Sequence, residues 1–185
     1  MRRLIYIVLV ILVSCKVRNS IIINNNQHSI SKIKTDNRNF IIGDINNDKV
    51  SDTAYVSYKI NIDTNDIECE EADCLINIKF NKNIPDLKFN DSKGIVIKET
   101  NDLDNDGTTE IIVFSRTNQG WCNDVSVWSL KNNSWIMLAK TKGLIAEEKD
   151  FDNRIIKIDN NHFLIGQNPF KEDLDGNFIE VKIKI

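Results

Sequence analysis

Apolar and polar side chains alternate in segment after segment of this chain, the two-residue period of a strand with one face buried. Ala54, Val56, Tyr58 and Ile60 fall on one face, with Tyr55, Ser57 and Lys59 on the other. Ile76, Ile78 and Phe80 alternate with Asn77 and Lys79, and Ile179, Val181, Ile183 and Ile185 with Glu180, Lys182 and Lys184. Two unbroken apolar runs, Ile95-Val96-Ile97 and Ile111-Ile112-Val113-Phe114, read as more deeply buried strands. Further strands are expected near 38–42, 123–130, 133–140, 154–159 and 162–166. Between them stand Lys131-Asn132-Asn133-Ser134, Asp159-Asn160-Asn161 and Asp173-Leu174-Asp175-Gly176-Asn177. Such residues favour reversal because Asn, Asp and Gly accept positive φ or bond their own backbone. Only residues 142–150 would support a helical turn. The pattern predicts an all-β, antiparallel domain.

The first residues stand outside that pattern. Met1-Arg2-Arg3 is basic and residues 4–13 are apolar, about half the length that spans a bilayer. A basic start, a short apolar core and a small residue before a cut are the parts of a secretory signal. Leu12-Val13-Ser14-Cys15 resembles the lipobox of bacterial lipoproteins. That resemblance implies removal of residues 1–14, acylation of Cys15 and attachment to the cell envelope, most simply the outer membrane. Two or three acyl chains hold durably where one does not. Residues 15–36 then read as lipidated cysteine and tether, and 37–185 as a single β domain. Lys16 and Arg18 do not resemble the acidic surface-export signal of some lipoproteins, so the leaflet stays open.

Composition narrows the partners. The formal charge is -3, and loss of Arg2 and Arg3 makes the remainder more acidic. No run of basic residues is present to neutralise successive phosphates, which argues against nucleic acid. Gly (7) and Pro (2) are too scarce for a collagen-like or low-complexity chain.

The most informative segment is Asp102-Leu103-Asp104-Asn105-Asp106-Gly107-Thr108-Thr109-Glu110. Oxygen donors occupy positions one, three and five, Gly takes the sharp turn at six, and an acid stands at nine. Calcium takes six to eight oxygens at about 2.3–2.6 Å, and this spacing wraps them round one ion. Asp102, Asp104, Asp106 and Glu110 would give carboxylate oxygens and Thr108 its carbonyl. An EF-hand differs, with its closing Glu at twelve and helices on both sides. The competing explanation is a solvated acidic turn whose Asp side chains bond the local backbone.

Asp44-Ile45-Asn46-Asn47-Asp48-Lys49-Val50-Ser51-Asp52 has the same frame, with Asp44, Asn46, Asp48, Val50 and Asp52 as the matching donors. Lys49 replaces Gly at six, which costs on the order of 1 kcal/mol in a left-handed conformation and adds a positive charge. Asn46 is neutral where Asp104 is charged. Weaker metal binding is expected here. The two loops start 58 residues apart, a spacing characteristic of repeats.

Both loops resemble the calcium loops of FG-GAP (VCBS-type, integrin-α-like) repeats, and the wider pattern is similar to small lipoproteins of Bacteroidetes-type bacteria. The resemblance implies one calcium ion per loop, each loop joining two strands of a propeller blade, with repeats over about 38–97 and 98–168. A closed propeller of that kind needs seven blades. The chain has room for two or three blade-like sheets.

Other chemistry is sparse. Trp121 follows Gly120 in an expected loop and is the best candidate for ligand contact, while Trp128 and Trp135 read as core packing across a hairpin. Beyond Cys15, two disulfide pairings are open, Cys69 with Cys74 or Cys74 with Cys122, since the envelope permits disulfides. His28 and His162 have no neighbouring pattern of nucleophile and base, and the acidic run Glu147, Glu148, Asp150, Asp152 reads as a solvated face. The chain is therefore expected to be a non-enzymatic, calcium-stabilised binding or structural module, held to the membrane by lipid, with a protein or glycan partner. The alternative is an envelope enzyme or accessory factor acting on surface glycans.

Overall fold

The structure, a computed structural model, describes residues 32–69, 74–81, 83–117, 122–144 and 153–185. The signal segment, Cys15, His28, Trp121 and the acidic run at 147–152 lie outside the described residues. The described part is all strand: β1 (Ile33–Ile42), β2 (Asp52–Asn61), β3 (Ile76–Phe80), β4 (Leu87–Phe89), β5 (Ser92–Glu99), β6 (Ile111–Thr117), β7 (Cys122–Lys131), β8 (Ser134–Leu144), β9 (Ile155–Ile158), β10 (Asn161–Glu172) and β11 (Phe178–Lys184).

Every pairing is antiparallel, and neither of the two sheets closes on itself. One sheet has the order β1-β2-β3-β4 and the other β11-β10-β8-β7-β6-β5, with β9 on β10. The strands β1–β4 form a four-stranded meander, and β5–β8 form a second one. In each, the acidic nine-residue loop joins the first strand to the second. These are open, blade-like sheets.

The alternation sets what each face meets. Val56, Tyr58, Ile60 and Ile78 of the first sheet pack with Ile95, Ile97, Ile111 and Val113 of the second. Ile112, Phe114, Val125, Val127 and Leu164 make a second core on the other face of the larger sheet. The run Ile111–Phe114 is thus buried on both sides, which is why it does not alternate. The Tyr58 hydroxyl joins the sheets: it donates to the Ile95 carbonyl and accepts the Ile95 N–H, each at 3.0 Å. Asn132 (φ 50°) and Asn133 (φ 57°) form the β7–β8 turn, the paired positive φ of a tight hairpin.

Three expectations change. The sheet begins at Ile33, so residues 33–36 belong to β1 and not to the tether. The expected repeat boundary at 97/98 falls inside β5. Lys142, Gly143 and Leu144 extend β8 and form no helical turn, while 145–150 lie outside the described residues. Trp128 and Trp135 flank the hairpin and pack against the core as expected, but each meets the other sheet and not its hairpin neighbour: Trp135 on Phe80 (centroids 5.0 Å) and Trp128 edge-on to Phe89 (5.8 Å). Their indoles donate to Ser126 Oγ (Trp128) and the Pro85 carbonyl (Trp135), so neither ring leaves its N–H unpaired. Strand β4 was not expected at all. Three residues beside Pro85 are too few to show a period.

Candidate metal centre

The two acidic loops share four corresponding hydrogen bonds. In the second loop, Asp102 Oδ1 and Oδ2 accept the N–H groups of Asp106 (3.1 Å) and Gly107 (3.0 Å), and Asp106 Oδ1 accepts that of Thr108 (3.0 Å). Glu110 Oε2 accepts the Leu103 N–H at 2.6 Å. In the first loop, Asp44 accepts from Asp48 (2.9 Å) and Lys49 (2.6 Å), Asp48 from Val50 (3.0 Å) and Asp52 from Ile45 (3.2 Å). The backbone turns left-handed at positions four and six in both: Asn47 (59°) and Lys49 (67°), Asn105 (61°) and Gly107 (91°). Position two is a buried apolar anchor, Ile45 or Leu103, and position nine is a fully buried acid. Acids at one, five and nine are therefore needed to hold the loop's own N–H groups, whatever else they do.

Position three separates the loops. Asn46 Oδ1 accepts the Asp48 N–H at 3.0 Å, which closes the first loop on itself. Asp104 makes no such bond, and its Oδ1 is buried without a hydrogen-bond partner. Glu110 Oε1 is likewise buried without an aligned partner, although the Ser129 hydroxyl stands beside the carboxylate. Carboxylate oxygens of Asp102, Asp104, Asp106 and Glu110 lie within 4.8 Å of one another. Two oxygens bound to one calcium ion stand at most about 5 Å apart. Among the described residues no other group of three or more such side chains converges in this way, the first loop included.

One cation already reaches the cluster. Lys131, the last residue of β7, places Nζ 2.6 Å from Asp104 Oδ2 and 3.3 Å from Asp106 Oδ2. Hydrogen bonding to Asp104 holds the Lys131 ammonium above its usual range. The Thr108 hydroxyl, donating at 2.6 Å, holds the Asp106 carboxyl below the usual carboxylate range. Burial does the reverse to Glu110 and pushes it up to about 7, with the neighbouring Asp104 and Asp106 charges adding to the rise. A buried acid so close to other acids is costly to ionise, and a divalent cation would remove that cost. The donor set is all oxygen, charge-rich and convergent, so it fits calcium. Thr108 stands at position seven, where its carbonyl would complete the set; its N–H and hydroxyl both serve Asp106.

The loops also touch. Thr109 Oγ1 donates to the Asp44 carbonyl at 3.4 Å, and Gly43 is overlaid by Glu99 and Thr109, with Oε2 of Glu99 2.6 Å from where a Cβ would stand. His162 Nδ1 lies 2.9 Å from the Leu103 carbonyl and ties β10 to the second loop. Sequence reasoning did not foresee Lys131, Ser129 or His162 here, because all three arrive from distant strands.

Elsewhere, Cys69 and Cys74 are disulfide-bonded, and Cys122 is free and buried. The alternative pairing of Cys74 with Cys122 is not formed.

Comparison with known proteins found no matching family model, no matching curated protein and no matching solved structure.

Proposed function

We propose that the loop at 102–110 binds calcium, and that this chain is a lipid-anchored envelope protein whose β domain, stiffened by the ion, serves as a binding or structural module. The observation that carries the metal reading is Asp104. The loop's own hydrogen bonds account for Asp102, Asp106 and one oxygen of Glu110, but they leave Asp104 unused and aimed at the same point. A bound ion would supply positive charge to four acids and link both ends of the loop to β6. Calorimetric titration of calcium into the full chain in mild detergent tests it. One equivalent should bind, and Asp104→Asn should lose most of the affinity.

The first loop, on this reading, is a metal-free structural copy. Support for an FG-GAP-like repeat comes from the shared hydrogen-bond frame and from each loop joining the first two strands of a four-stranded meander. The lipid anchor rests on the sequence of residues 1–15 alone. Labelling with a radioactive fatty acid, abolished by Cys15→Ser, would establish it. A glycan-active enzyme would need two free carboxylates in a cleft, and the groove between β1 and β5 offers Asp36, tied to Arg38 at 3.1 Å, and Asp66, in a lining that also holds four cationic side chains. That favours binding over hydrolysis.

A further inference from the structure

A groove of about 600 Å³ opens where β1, the edge of the first sheet, crosses over β5, the edge of the second. Its charged lining is mostly cationic: Lys34 and Arg38 from β1, Lys93 from β5 and Arg116 from β6, against Asp36 and Asp66, with the neutral Asn65 and Thr117 beside them. The register explains the β1 pair. Lys34 and Arg38 stand opposite Ile60 and Val56, so they share the face that is apolar and buried one strand further in. An inward-facing charge on an edge strand protects that edge from pairing with another chain. Edge protection needs no cation on the opposing sheet, yet Lys93 and Arg116 are there. Neither they nor Lys34 form an ion pair with any described residue. Arg38 is held in place by Asp36 and by the Tyr58 ring, its guanidinium carbon 4.9 Å from the centroid.

We propose that this groove between β1 and β5 is a binding site for a multiply charged oxyanion. Cations of one sign facing each other across a groove repel, and a low-dielectric wall focuses their field on whatever enters. Ile67 and Val96 form part of the lining, and the volume falls within the usual range for small-molecule sites. Arginine meets phosphate, sulfate or carboxylate oxygens in pairs, which sets a role for Arg116 that lysine would fill less well. The site is independent of the calcium loop.

The test is titration of the full chain, in mild detergent at low salt, with pyrophosphate, sulfate and citrate in turn. At least one should bind, with an affinity that falls as salt rises. Arg116→Ala and Lys93→Ala should each weaken it about tenfold, the equivalent of 1.4 kcal/mol. Lys59→Ala, on the outward face of β2, should leave it unchanged. All these side chains are exposed, so folding is not at stake. The preferred anion identifies the chemical source. Failure of all three to bind, or equal binding by the Arg116 and Lys93 variants, overturns the proposal.

Discussion

The ammonium of Lys131 lies 2.6 Å from Oδ2 of Asp104, so a cation built into the β7–β8 hairpin reaches the acidic loop. In the metal-free protein it offsets repulsion among the carboxylates. On the proposed reading it would also compete with calcium for them. Lys131→Met should therefore lower the melting temperature in chelator and tighten calcium binding several-fold, up to about tenfold. Calorimetry on the two proteins checks both directions, and weaker calcium binding in the variant would contradict the competition.

Glu110 gives a pH dependence of definite sign. Its folded value of about 7 lies above its ordinary value of 4.5. A raised carboxyl contributes stability below the unfolded value that is lost as pH rises through the folded one. The chelated protein should thus lose stability from about pH 4.5 to 7 relative to Glu110→Gln, while calcium affinity in the native sequence rises over the same window. At pH 8 the two proteins should cross: Glu110→Gln melts higher in chelator and lower in calcium. Parallel melts at all pH values would refute the assignment.

Tyr58 makes both of its hydrogen bonds to one residue of the other sheet. Tyr58→Phe leaves the Ile95 N–H and carbonyl buried and unpaired, which should cost about 1–3 kcal/mol in denaturant unfolding.

Gly166 is fixed by contact, not by turn geometry. A Cβ there would overlap Thr141 Oγ1 and stand 2.5 Å from the Lys142 carbonyl. Gly166→Ala should destabilise the domain by about 1–3 kcal/mol. Pairing it with Thr141→Ala should recover only part of this, because the carbonyl cannot move freely.

Much of this architecture is legible in the sequence because it rests on local rules. Alternation places Val56, Ile78 and Ile183 on strands, Asn132-Asn133 marks a turn, and Lys49 takes the left-handed conformation its position requires. The loop frame is legible too, since positions one, five and nine act on N–H groups a few residues away. What is not legible is assembly. Lys131 lies far along the chain from Asp104, and Lys34, Arg38, Lys93 and Arg116 form no basic run, so the cationic groove exists only after two sheets meet. The same holds for Trp128 and Trp135: neighbours on one hairpin, they pack on Phe89 and Phe80 of the opposite sheet.

The most direct measurement is a thermal melt of the protein in calcium and in chelator, beside Asp104→Ala. Asp104 caps no backbone group, so its loss would remove the proposed donor without dismantling the loop. Calcium at a hundred times its dissociation constant adds about 2.7 kcal/mol, or about 5–11 °C in a domain of this size. The account predicts that rise in the native sequence and its absence in Asp104→Ala. Melts of the native protein that coincide with and without calcium would contradict it and leave the second loop, like the first, a hydrogen-bonded acidic turn.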